Sequence, residues 1–152
     1  MKLDAVDREI LRILQDDGRI TNVELARRVG ISAPPCLRRV RALEDAGLIT
    51  GFHAALDAPA LGYPLTVFAM VGLHSQAEDD LRAFEALAAG WPLVRECFML
   101  QGEIDFMLKI VARDLAEFQT FLTSQLTPAP NVASVKTALT IRAAKNLPGV
   151  PL

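Results

Sequence analysis

Between Thr21 and Gly47 the chain carries two helices whose ends are fixed by their own residues, with only the turn Gly30-Ile31 between them. Thr21 and Glu24 have the spacing of a capping box, in which each side chain satisfies the other's unpaired backbone N–H, and Ile20 and Leu25 occupy the positions of a hydrophobic staple. Gly30 supplies a left-handed terminator after Val29. The next helix begins at once. Ser32 is placed to cap it, and Pro34 and Pro35 are tolerated because the amides of a first turn have no partner within the helix. Gly47 ends it. A helix, a tight turn and a second helix describe a helix-turn-helix, in which the second helix fits a DNA major groove. Helix pairs joined by a glycine turn also occur in bundles that never touch nucleic acid, so the spacing alone leaves both readings open.

Charge bears on that choice. The formal net charge is −2, but within residues 21–41 Arg27, Arg28, Arg38, Arg39 and Arg41 are opposed by Glu24 alone. From residue 57 onward acidic residues outnumber basic ones. Such segregation says more about a partner than the total does. On a helical wheel Leu37, Val40, Leu43 and Glu44 fall on one side of the third helix, and Pro35, Arg38, Arg39 and Ala42 on the other, which predicts an arginine-bearing outer face. Ahead of this pair, Val6, Ile10, Ile13 and Leu14 give a first helix from about Asp4 to Gln15, capped by Asp4. After it, Leu48–Leu56 with Gly51 in the middle predicts a two-stranded wing, with His53 on its surface. Asp57–Pro64 holds two prolines and a glycine and reads as a hinge.

The remainder reads as strand, helix, strand, strand, helix, strand. Leu65–Leu73 alternates, Glu78–Ala89 is amphipathic, and Val94–Leu100 and Ile104–Ala112 are joined by a tight turn at Gln101-Gly102-Glu103. Asp114 caps a helix carrying Leu115, Phe118, Phe121 and Leu122, and Val132–Ala143 closes the set. This βαββαβ order is ferredoxin-like, with two helices on one face of a four-stranded antiparallel sheet. The fold class is therefore α+β, an N-terminal winged helix-turn-helix followed by a ferredoxin-like domain. The expected divisions are 1–50 for the DNA-binding domain, 51–64 for wing strand and linker, 65–143 for the second domain and 144–152 for an extension. Apolar residues of both parities on the strands predict that the face without helices meets the same sheet of a second subunit.

Other classes find little support. No apolar run approaches the roughly 20 residues that span a bilayer, and Met1-Lys2-Leu3-Asp4 opens no signal core, so a cytoplasmic protein is expected. No nucleophile stands with a base, and there is no Walker loop and no G-x-G-x-x-G, so catalytic residues and cofactors are expected to be absent. Cys36, Cys97, His53 and His74 are too scattered for metal-ligand spacing, and reduced cysteines are expected. A metal-responsive repressor would need them to converge in the fold.

LDAVDREILRILQDDGRITNVELARRVGIS with APPCLRRVRALEDAGLI, then VRECFMLQGEIDFMLKIVARD, then VKTALTIRAAKNLPGVPL, resemble in that order the Lrp/AsnC (feast/famine) transcriptional regulators. The resemblance covers nearly the whole chain. It implies a sequence-specific regulator of genes of amino-acid metabolism or transport, paired through its C-terminal sheets and commonly assembled as four dimers. It also implies a small amino acid bound between C-terminal domains, close to the hairpin with its Gly-x-x-Asp. Gln101, Gly102, Glu103 and Asp105 are then effector candidates, and Thr137 matches a family position near the cleft. Val135 departs from the threonine that many members carry, so a purely assembling C-terminal domain remains the alternative.

A dimer would present two recognition helices to a palindromic operator in double-stranded DNA. Arg38 and Arg39 are the candidates for base and phosphate contacts, because an arginine fork can take guanine O6 and N7 together. Arg28 and Arg41 are expected to neutralise phosphates without reading sequence. Ser32, Pro34 and Pro35 place the helix start at the groove floor or a phosphate. Thr21 and Asn22 lie at the positive end of the second helix and could hold a phosphate, although Thr21 could equally be a cap alone. Asp105 could accept an ammonium group or pair with an arginine.

Overall fold

Asp4, Thr21 and Asp114 each cap a helix start with a side-chain hydrogen bond. The computed structural model describes residues 2–152; Met1, the first residue of the expected DNA-binding domain, lies outside the described residues. Helix α1 spans Ala5–Asp16, α2 Asn22–Val29 and α3 Ala33–Asp45. Asp4 accepts from the Asp7 amide and Asp7 returns a bond to the Asp4 amide, a complete capping box. Thr21 accepts from the Glu24 amide at 3.2 Å. Glu24 does not reciprocate, because its carboxylate holds Arg27 and Arg28 instead. Gly30 ends α2 at φ +73°, a left-handed conformation that costs glycine little. Ile10, Leu25, Cys36 and Leu43 are shut off from solvent and join the three helices in one core.

Strands β1 (Leu65–Leu73), β2 (Val94–Met99), β3 (Phe106–Ala112) and β4 (Val132–Leu139) form one antiparallel sheet in the order β2-β3-β1-β4. Helices α4 (Glu78–Ala89) and α5 (Leu115–Phe121) complete the βαββαβ order, and α5 widens into a π-helical turn at Leu122–Leu126. Alternation decides which side is core. Val67, Ala69, Val71 and Leu73 on β1, and Phe106, Leu108, Ile110 and Ala112 on β3, pack against Phe84, Ala88, Phe118 and Phe121 of the helices. The Phe84 ring lies 4.7 Å from that of Phe106, and Trp91 meets Phe84 and Phe121 edge-on. By cross-strand register the other face carries Phe68, Met70, Met107 and Phe98, with Lys109 paired to Glu96 at 2.7 Å.

Three local expectations are corrected. Residues 48–56 form no paired ribbon. This stretch is mostly exposed, and two short strands with no third to join them are marginal in water. Instead the Phe52 ring covers Gly18, where a β-carbon would come within 3.2 Å of it. The β2–β3 connection is longer than a three-residue turn, since the Leu100 amide bonds the Asp105 carbonyl at 2.8 Å and pairing resumes only at Met99 and Phe106. Strand β4 stops at Leu139 rather than Ala143.

The chain divides into two compact units, one made of the residues up to Ala55 with Ala144–Leu152, the other of Leu56–Ala143. In the first, Gln15 and Val150 exchange a pair of hydrogen bonds of 3.1 Å, which ties the closing residues to α1. None of the described helices is long and apolar enough to cross a membrane.

Candidate nucleic-acid interface

The orientation of α3 is fixed by polar contacts at its start and at its middle. At its start the Asn22 side-chain amide donates to the Ala33 carbonyl at 2.8 Å, bridging the first residues of α2 and α3. Further along, Arg39 reaches back to the first turn of α1. The capping box there uses Asp4 Oδ1 and Asp7 Oδ2, and the two remaining oxygens, Asp4 Oδ2 and Asp7 Oδ1, both accept from Arg39 Nη1 at 2.7 and 2.6 Å. Asp7 is only 4% exposed and is the buried charged side chain among the described residues, so its carboxylate needs this cation. The two carboxylates, Asp7 first, make Arg39 harder still to deprotonate. The Asp7 amide, and then Arg39, holds the Asp4 carboxyl below its ordinary range.

Arg39 was expected on the outer face with Arg38. It lies instead against α1, because successive residues of a helix point about 100° apart. The wheel is corrected in the same sense on its inner side. Cys36 and Leu43 are the buried positions, while Leu37 is 39% exposed and Glu44 is exposed. The outward stripe of α3 is therefore Pro34, Leu37, Arg38 and Arg41. Neither Arg38 nor Arg41 makes an ion pair among the described residues. Arg28 does: it bonds Glu24 at 2.9 Å alongside Arg27. Those two guanidinium groups, Arg27 first, hold the Glu24 carboxyl at about 2.

Ser32 occupies the cap position of α3 without making a cap bond. An N-cap hydroxyl ordinarily accepts from the second or third helical amide. Here those residues are Pro34 and Pro35, which have none. The Ser32 hydroxyl is thus exposed and uncommitted at the head of the stripe. Thr21 is engaged as a cap, and Asn22 is turned inward with its Oδ1 buried and unpartnered.

The hairpin of the second unit is a separate candidate. Gln101, Gly102 and Glu103 are exposed at its tip, and Gly102 has φ +150°, a conformation that side chains disfavour. Asp105 Oδ2 accepts from the Leu73 amide at 2.6 Å and from Gln76 at 3.4 Å, so one oxygen already braces the end of β1. Thr137 pairs with Ala69, four residues from Leu73 along β1. The Asp105 amide donates to the Val71 carbonyl on the β3 edge of β1, whereas Thr137 pairs along the other edge, so β1 stands between them and a single chain does not bring Thr137 to the hairpin.

The clamp of Asp4, Asp7 and Arg39 was missed from sequence, although Asp-x-x-Asp at a helix start is a readable capping pattern. Leu37 was missed as an outward residue because leucine outranks cysteine in ordinary scales of apolarity. Yet free cysteine is among the most buried residue types.

Residues 3–50 match the family profile described as winged helix-turn-helix DNA-binding, and residues 66–150 the one described as Lrp/AsnC ligand binding domain. The chain is 61% identical over 146 residues to a leucine-responsive regulatory protein of Rhizobium meliloti, covering 96% of this chain and 94% of the relative. A Bkd operon transcriptional regulator of Pseudomonas aeruginosa is 44% identical, with 93% and 92% covered. Among solved structures, a transcriptional regulator of Neisseria meningitidis in complex with L-Met superposes with a TM-score of 0.94 at 35% identity, covering 99% of this chain and 97% of that one.

Proposed function

The chain belongs to the Lrp/AsnC family of transcriptional regulators, and on that footing we propose that it acts as a twofold dimer in the cytoplasm, setting two copies of α3 into successive major grooves of a palindromic operator. The observation that carries this reading is the pair Arg38 and Arg41, unpaired and exposed on a helix whose orientation Arg39 fixes from behind. Arg38 reads a base edge, and Arg41 neutralises a phosphate. Ser32 donates its free hydroxyl to the backbone, beside Pro34 and Pro35 at the groove floor. Arg28 joins it by exchanging Glu24 for a phosphate. Thr21 and Asn22 support α2 rather than touch DNA. Residues 1–50 form the reading domain, 51–64 the connection, 65–143 the assembly and effector domain, and 144–152 the extension.

Pairing through the apolar face of the sheet supplies the twofold axis, and four such dimers make the larger assembly. The relative bound to L-Met supports an amino-acid effector here, held by Gln101, Gly102, Glu103 and the free oxygen of Asp105 at a junction between subunits, with Thr137 contributed across it. The regulated genes concern amino-acid metabolism or transport, as the name of the leucine-responsive relative suggests. Selection of duplexes from a random pool by the full chain tests the first half, and a palindrome with half-sites about 10 base pairs apart, or a multiple, is the expected result. Thermal unfolding with each common amino acid tests the second. An effector at about a hundred times its dissociation constant adds roughly 2.7 kcal/mol, and uniformly flat curves would leave the domain an assembly unit alone.

A further inference from the structure

Leu37 is the apolar member of the outward stripe of α3. It stands between Pro34 and Arg41, three residues behind and four ahead, with Arg38 beside it, and it is 39% exposed. A singly exposed leucine is ordinary on a protein surface. What sets this one apart is its company: the cations on either side make no ion pair among the described residues, and the helix is the second of a DNA-binding helix-turn-helix. A helix seated in the major groove by Arg38 and Arg41 carries Leu37 in with them. Leucine has no donor or acceptor to offer a base edge. The apolar group that the major groove displays is the C5-methyl of thymine.

We infer that Leu37 is a specificity-determining residue that reads thymine by packing on its methyl group, next to the base read by Arg38. The inference rests on the operator-reading role proposed above for α3. It assigns to one side chain a discrimination that the arginines cannot make, since deoxyuridine keeps every hydrogen-bonding edge of thymine and lacks only the methyl.

The test uses the full chain and the duplex it selects from a random pool, with each thymine replaced singly by deoxyuridine. At one thymine of the recognised sequence the wild type loses about fourfold in affinity, the worth of one buried methyl group. Leu37→Ala binds the thymine duplex weakly and loses nothing more on deoxyuridine at that position, while Leu37→Met keeps most of the discrimination. Because the side chain lies outside the core, the melting temperature of both variants stays that of the wild type. The inference is overturned if no deoxyuridine position weakens the wild type, or if Leu37→Ala feels the replacement as strongly as the wild type does. A pool that yields no preferred duplex is a different failure, and it removes the operator-reading role itself.

Discussion

The two compact units keep opposite things on their surfaces. In the N-terminal unit Asp4 and Asp7 share Arg39, Glu9 holds Arg12, and Glu24 holds Arg27 and Arg28. Arg38 and Arg41 make no ion pair among the described residues. On the sheet of the second unit Lys109 is paired with Glu96, and Phe68, Met70, Phe98 and Met107 lie on a face without helices whose one exposed, unpaired charge among these register positions is Lys136. Surplus cations suit a polyanion, whereas an uncovered apolar face suits another apolar face. The difference teaches that the partner class is read from what each unit leaves unsatisfied, not from what it contains.

The comparison is broken most severely from within the second core. Phe106→Ala removes a fully buried ring against Phe84 and should cost about 3–5 kcal/mol, read as a lower urea midpoint. A substitution on the opposite face should instead spare the fold. Phe98→Glu, at a half-exposed position, is expected to keep the wild-type far-UV circular dichroism and a cooperative unfolding transition while converting the assembly to monomers in sedimentation. An unchanged mass would show that the sheet face is not where copies meet.

Adjacent arginines sharpen the contrast within the first unit. Arg38→Ala should weaken operator binding by about 1–3 kcal/mol and relax sequence choice at one position, with no change in melting temperature. Arg39→Ala should lower the melting temperature, because it strips the cation from buried Asp7, and weaken operator and unrelated DNA in the same proportion. If the two variants exchange these signatures, the clamp has been read backwards.

The smallest effect is in acid. Glu24 falls from an ordinary 4.5 to about 2 through Arg27 and Arg28, so its charged form is favoured by the fold. Its contribution is complete above pH 4.5 and is lost as the pH falls through about 2. The advantage of the wild type over Glu24→Gln in thermal unfolding should therefore shrink across that window, and an advantage independent of pH would remove the ion pairs from the explanation.

Much of the fold was legible because its signals act over short distances. Asp4, Thr21 and Asp114 cap helices where their neighbours say they should, whereas apolar residues of both parities on β1 and β3 left the core side to be decided by the helices that cover it. The wing was not legible, since Leu48–Leu56 carries strand-forming residues but its pairing depends on what lies beside it. The site was legible as a segment and misread in its side chains. Ser32 has the sequence of a cap, yet Pro34 and Pro35 take away the amides it would bind, and only the helix register reveals that its hydroxyl is free.

The sequence by itself determined the order of the helices and of the four sheet strands, the caps of α1, α2 and α5, and that the basic residues gather on α2 and α3. Only the tertiary structure decided which arginine faces out. Arg38 and Arg39 are neighbours of identical chemistry, and their fates diverge because α1 brings Asp4 and Asp7, more than thirty residues away in the chain, within hydrogen-bond reach of one and not the other. Local propensity acts within a turn of helix, whereas the pairing of a charge depends on which distant backbone happens to pack beside it.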